Sequence, residues 1–164
     1  MKIKTQLSFK DFLFCQYYVS AKFSIAIGIM AIGAISTIIV VIDMVMGDFS
    51  NFTFQDVVVP LLMLLGFPIS IWWNSRRLFF SNPKLGKLNT YYFLPESFVA
   101  EGDGFKSEVQ WNLIHKVIET KKWILIYPSP YLFHIIKKSE VGDDLTLLRH
   151  FLGKLDIDVQ LRAD

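Results

Sequence analysis

Twenty consecutive uncharged residues from Phe23 to Ile42, and a second uncharged run from Val57 to Ser75, constrain this chain more than any other feature. At about 1.5 Å of rise per helical residue, either run can cross a hydrocarbon layer of roughly 30 Å. The first, FSIAIGIMAIGAISTIIVVI, holds eight Ile, two Val and one Phe, which together favour insertion by about 3 to 7 kcal/mol before polar corrections. The second, VVVPLLMLLGFPISIWWNS, is less regular. Pro60 and Pro68 each remove a backbone donor and Gly66 lies between them, which predicts a kink near Pro68. A cleaved signal peptide would carry an apolar stretch of about 7 to 15 residues near the terminus and an A-x-A exit. The first run begins at residue 23 and lacks that exit, so it reads as a retained span.

Apolar residues make up 52% of the chain, high for a soluble domain of 164 residues, while charged residues at 20% leave enough polarity for a part outside the membrane. A net charge of +2 is too small to point to nucleic acid. The lone Cys15 excludes an internal disulfide framework and a CxxC motif.

The flanks set the orientation. Lys2, Lys4, Lys10 and Lys22 stand against Asp11 before the first span; Asp43, Asp48 and Asp56 lie between the spans without Lys or Arg; Arg76, Arg77, Lys84 and Lys87 follow the second. Positive charge gathers on the cytoplasmic side, which predicts that both termini face the cytoplasm. Trp72 and Trp73 before the Arg pair, and Tyr17 and Tyr18 before Lys22, place amphipathic rings at that inner interface, with Phe49, Phe52 and Phe54 at the outer one. Small residues Ala26, Gly28, Ala31, Gly33 and Ala34 let another backbone approach the first span. The second span is the obvious partner, and the same surface would admit a homo-oligomer.

After Asn89 the pattern changes to short β-like runs separated by turn residues: TYYFL, SFVAE, FKSEVQW, KVIET, WILIY and YLFHIIKK. This predicts an antiparallel meander. VGDDLTLLRHFLGKL then takes helical spacing, with Leu145, Leu148, Leu152 and Leu155 on one stripe beside Phe151, and Asp143 and Asp144 near the N-terminus. The expected fold is therefore a membrane α-helical hairpin of two transmembrane helices plus an α+β cytoplasmic domain. That domain is expected to be an antiparallel pleckstrin-homology-like partial barrel of five or six strands, closed by a C-terminal helix. Its core should hold Trp111, Ile114, Val117, Ile124, Ile126, Leu132, Ile135, Leu148, Phe151 and Leu152. The implied division is a cytoplasmic segment 1–22, spans 23–46 and 57–75 around an external loop 47–56, a basic linker 76–88, and the domain 89–164.

The succession YYFLPESFVAEGDG, VQWNLIHKVIETKKWILIY, YLFHIIKKSEV and a leucine-rich terminal helix resembles the YcxB-like family of small bacterial membrane proteins, whose C-terminal domain is similar to bacterial pleckstrin-homology domains. The opening KIKTQLSFKDFLFCQYYVS and the two spans fit the same layout. Within Val109–Thr120, Trp111, Ile114 and Val117 to Thr120 match the family's tryptophan-and-isoleucine turn before a V-x-E-T-like strand. Where the family commonly has a proline before a basic residue, this chain has Lys137 and Lys138. The resemblance implies a multi-pass protein of the bacterial plasma membrane and no established chemistry.

An enzyme is not expected, nor a cofactor or metal. His115, His134 and His150 lie on separate elements without metal-ligand spacing, and no G-x-S-x-G, HExxH or phosphate loop occurs. Asp143 and Asp144 read as a helix start, and Gly102-Asp103-Gly104 as a hairpin turn. The candidate residues are instead basic and aromatic. Lys22, Trp72, Trp73, Arg76, Arg77, Lys84 and Lys87 are candidates for membrane-interface and lipid contact; the pairs Lys121, Lys122 and Lys137, Lys138 are candidate binding turns. The leading functional expectation is a scaffold that presents its domain at the cytoplasmic face for a protein partner or lipid headgroups. The alternative is a membrane immunity protein that neutralises a membrane-acting toxin. A transporter ranks below both, because no ionisable residue lies inside either span.

Overall fold

The computed structural model describes residues 1–21, 24–46, 53–82, 84–130 and 132–162, with residues 24–26 described by their backbone. The candidate Lys22 and the loop residues Phe49 and Phe52 lie outside that set. The chain divides into two units, a helical one over Phe9–Ser81 and a sheet-rich one built from Met1–Ser8 together with Asn82–Asp164.

The helical unit holds α1 (Phe9–Ser20), α2 (Ser24–Met46) and α3 (Phe54–Ser81). Both α2 and α3 are long and apolar enough to cross a membrane, with mean hydropathies of 2.4 and 1.8 over an 18-residue stretch within Ile27–Met46 and within Phe54–Ser81. Pro60 and Pro68 sit inside α3, which continues through both. The Pro68 carbonyl, whose oxygen accepts a 2.8 Å hydrogen bond from the Tyr17 hydroxyl, ties α1 to α3. Of the small residues expected to admit a neighbouring backbone, Gly33 does so: a Cβ there would lie 2.8 Å from Met63 Cβ, 3.0 Å from Leu64 N and 3.1 Å from Pro60 O. Gly28 has open space around it. Gly33→Val should therefore force α2 from α3 and lower the thermal stability of the detergent-solubilised protein, whereas Gly28→Val should leave it nearly unchanged. Equal effects of the two would contradict the close approach at Gly33.

The sheet-rich unit contains two four-stranded sheets. One has the order β1-β2-β3-β4, from β1 (Lys2–Gln6), β2 (Leu88–Phe93), β3 (Ser97–Gly102) and β4 (Phe105–Gln110), antiparallel throughout. The other has the order β7-β6-β5-β8, from β5 (Lys116–Glu119), β6 (Trp123–Tyr127), β7 (His134–Lys137) and β8 (Val159–Gln160). Six strands fall where the alternation placed them. The strands β1 and β8 were not expected, and β8 departs from the antiparallel meander by pairing parallel to β5, Val117 opposite Val159. The two sheets do not close into a barrel. A 3-10 turn over Trp111–Leu113 carries the chain from β4 to β5 instead.

Strand β1 pairs with β2 in a five-residue register from Lys2 opposite Tyr92 to Gln6 opposite Leu88. Its alternation buries Ile3 and Thr5 and exposes Lys2 and Lys4. Residues 1–8 are thus part of the sheet-rich unit, and the helices are an insertion between its first two strands.

One core joins both sheets to the C-terminal helix. Ile3, Tyr91, Phe93, Phe98, Trp111, Ile114, Val117, Ile124, Ile126, Ile136, Leu148 and Leu152 are all in it. Phe151 packs against it from the side, with its ring 5.7 Å from that of Trp111. Leu132 was expected there but is 61% exposed, because it lies in the β6–β7 connection before the strand begins. Ile135 is buried but outside this core, since neighbouring Ile136 occupies the core face of β7 and successive side chains alternate. The expected helix over Val141–Leu155 is interrupted: α4 (Lys138–Val141) ends at Gly142, whose φ of 61° favours glycine, and after a 3-10 turn α5 covers Leu145–Leu152. Asp143 and Asp144 lie in that turn.

Trp111 is 5% exposed and its indole N–H donates to the Leu94 carbonyl at 2.9 Å, so it anchors the turn between the sheets. Trp111→Ala should cost about 3 to 5 kcal/mol in denaturant unfolding of a protein that joins residues 1–8 to 82–164. Removing residues 1–8 from it should lower stability again, because Ile3 leaves the core and β2 becomes an edge.

Candidate membrane-interface site

The last turns of α3 gather the candidate residues into one groove. Trp73, Arg76, Arg77, Phe80 and Ser81 line an open cavity of about 350 Å³. Their spacing, i, i+3, i+4, i+7 and i+8, puts all five on one face of the helix. Arg76 is held between rings one turn away on either side, its guanidinium carbon 5.4 Å from the Trp72 ring and 5.5 Å from the Phe80 ring. A guanidinium placed against ring faces keeps its N–H groups available for an acceptor. Trp73 and Phe80 are each 64% exposed, an unusual amount of aromatic surface for one short stretch. Phe80 is braced by Phe9 of α1, ring centroids 5.5 Å apart, and Phe9 and Phe12 also meet Phe79 at 5.6 and 5.7 Å. Sequence reasoning named Trp73, Arg76 and Arg77 and missed Phe80, Ser81 and the bracing helix. The signal was there, because extending helical spacing past Ser75 aligns Phe80 and Ser81 with the Arg pair.

Lys84 and Lys87, expected in the same basic cluster, belong to the sheet-rich unit and are engaged there. The Lys84 ammonium lies 5.1 Å from the Phe105 ring centroid, and Lys87 forms an ion pair with Asp103 of the β3–β4 turn. The four basic residues therefore do not form one cluster within either unit.

The two candidate binding turns differ. Lys121 and Lys122 are exposed in the β5–β6 connection, which Thr120 shapes: its hydroxyl oxygen accepts from Trp123 N at 2.9 Å and Lys122 N at 3.3 Å. Lys137 and Lys138 do not form a solvated turn. Lys137 ends β7 and pairs with Glu140 at 3.1 Å, while the Lys138 side chain is 13% exposed and pairs with Glu119. Glu119 is fully buried and receives Arg149 from α5 through Nε at 3.0 and 3.1 Å and through Nη2 at 2.7 Å, with the Arg162 backbone N–H at 3.3 Å. Burial alone would raise its pKa, but the hydrogen bonds from Arg149, Lys138 and Arg162 outweigh it and hold the carboxyl below its ordinary value. This network fastens β5 to α4, α5 and the C-terminal segment, and it accounts for the glutamate in the segment Val117–Thr120.

His115 and His150 are exposed, whereas His134 is half-buried beside the Tyr91 and Phe98 rings at 5.7 and 5.3 Å.

Residues 93–152 match the model of the YcxB-like protein family. The chain therefore carries a YcxB-like domain, from the end of β2 through α5. No curated protein and no solved structure matches the chain.

The YcxB-like domain should be acid-sensitive through His134, whose pKa burial pushes down to about 4. Between the unfolded value near 6.5 and that lower one, the unfolded chain binds a proton that the folded chain refuses, so stability falls as pH drops, by about 3 kcal/mol at most. Glu119 acts at lower pH, because the stability it supplies is fully present above its unfolded value and is lost progressively as pH falls from there through its depressed folded value. Unfolding measured between pH 8 and pH 4.5 should show the decline, and His134→Phe should flatten it. An unchanged slope in that variant would place the acid sensitivity elsewhere.

Proposed function

We propose that this is a two-span protein of the bacterial plasma membrane, with both termini in the cytoplasm, that holds a YcxB-like, pleckstrin-homology-like domain at the membrane face as a non-enzymatic binding module. The observation that carries the reading is the pairing of β1 with β2 on either side of the inserted helices. Two strands hydrogen-bonded in one sheet lie on one side of a bilayer, so the insert between them must cross an even number of times. Two candidate spans satisfy that requirement, and the basic flanks against an acidic connection favour the cytoplasm as the shared side. Only 6% and 11% of the two apolar windows is buried. A soluble protein would leave both surfaces in water, at odds with the hydrophobic effect.

Two sheets over one core with a helix at the C-terminal end support the pleckstrin-homology-like reading, although the sheets stay open. The exposed Lys121–Lys122 turn and the α3 groove are the surfaces by which such a module would meet a protein or a lipid headgroup. The topology can be tested with single cysteines in a Cys15→Ser background and a membrane-impermeant maleimide on intact cells. Phe54→Cys should label, while Lys4→Cys and Lys121→Cys should label only after lysis. Labelling of Lys121→Cys in intact cells would overturn the arrangement.

A further inference from the structure

The α3 groove has the parts of a phosphate site placed where a lipid phosphate would be. Its two guanidinium groups meet no carboxylate among the described residues, and Arg76 is already fixed by the rings on either side of it. Ser81 adds a hydroxyl to the same lining. Guanidinium forks match phosphate oxygens in pairs, and a hydroxyl supplies one more donor. The exposed rings of Trp73 and Phe80 are apolar walls that a free anion would not use but the glycerol and upper acyl carbons of a lipid would cover.

Length places the groove. The uncharged run of α3 ends at Ser75, and the 28 residues from Phe54 to Ser81 measure about 42 Å, against roughly 30 Å of hydrocarbon and about 40 to 45 Å with the headgroup layers. The last turns, with Arg76 and Arg77, then stand in a headgroup layer, the depth at which phosphodiesters lie. We infer that the Trp73, Arg76, Arg77, Phe80, Ser81 groove binds the phosphodiester of one anionic phospholipid, with its glycerol and acyl base against the two rings. This rests on the proposed insertion of α3 and gives that surface a defined ligand class.

Full-length protein in nanodiscs of equal phosphatidylglycerol and phosphatidylcholine, released into native mass spectrometry, tests it. One retained phosphatidylglycerol per chain is expected. Arg76→Gln with Arg77→Gln should weaken retention by about 30-fold, while Lys84→Gln with Lys87→Gln should preserve it. Trp73→Ala with Phe80→Ala should also lose the lipid. Millimolar inorganic phosphate should not displace it from the native protein. Retention of several lipids, lowered equally by either basic pair, would reduce the effect to general charge attraction and overturn the site. Displacement by phosphate with no effect of the ring substitutions would make it an anion site and not a lipid site. Alkaline carbonate extraction separates this failure from failure of the insertion itself: release of the protein by carbonate overturns the spanning reading, whereas retention in the membrane with unchanged lipid binding in the Arg variant overturns the groove alone.

Discussion

The contact of Phe9 and Phe12 with Phe79 and Phe80 closes the inserted helices on themselves, and the discontinuous sheet depends on that closure. Bringing together the ends of a flexible loop as long as Phe9–Ser81 would cost about 4 kcal/mol of chain entropy, before any strand pairing compensates. The helices change that calculation. Because α1 runs back along α3, from Phe9 beside Phe79 to Tyr17 beside Pro68, the first and last residues of the insert are already neighbours. Each aromatic pair adds about 0.5 to 1.5 kcal/mol beyond the area it buries. Strand β1 then needs only to find β2, with the loop entropy already lost to helix packing.

Residues 1–8 were hard to read for a local reason. KIKTQ alternates, burying Ile3 and Thr5, but five residues of alternation at the start of a chain are a weak signal beside two long apolar runs. Helix α1 was equally veiled: FKDFLFCQYYVS buries Phe12, beside Phe79 of α3, and Cys15, yet its aromatic content reads as readily as an interfacial segment. By contrast, the two long apolar helices and six strands were legible because each repeats its own period without competition, apolar throughout in the first case and alternating between turn residues in the second. The strand β8 has only two residues and a parallel partner far earlier in the chain, so no local pattern announces it.

The candidate site was legible in part for the same reason. Arg76 and Arg77 stand out by charge and Trp72 and Trp73 by type, whereas grouping them with Lys84 and Lys87 assumed that nearness in sequence meant nearness in space. The helix continues to Ser81 and the sheet-rich unit resumes at Asn82, so the basic run is divided between two units. The phase of the helix is the better guide, since it selects Trp73, Phe80 and Ser81 as companions of the Arg pair and sets Trp72 one turn before Arg76, within reach of its guanidinium.

Charge in the YcxB-like domain divides along similar lines. Lys138 and Arg149 look like surface residues in sequence, yet both are drawn to Glu119, whose side chain has no exposure. A buried carboxylate is costly unless paired and fully hydrogen-bonded, and losing one partner typically costs about 3 to 5 kcal/mol. The basic residues of this domain are therefore unequal as ligands for anything outside it. Those holding Glu119 are bound by the cost of leaving a buried charge alone, and Lys137 by Glu140. Lys121 remains on an exposed turn whose shape is fixed by the Thr120 hydroxyl through backbone bonds, so its substitution unpairs no buried group.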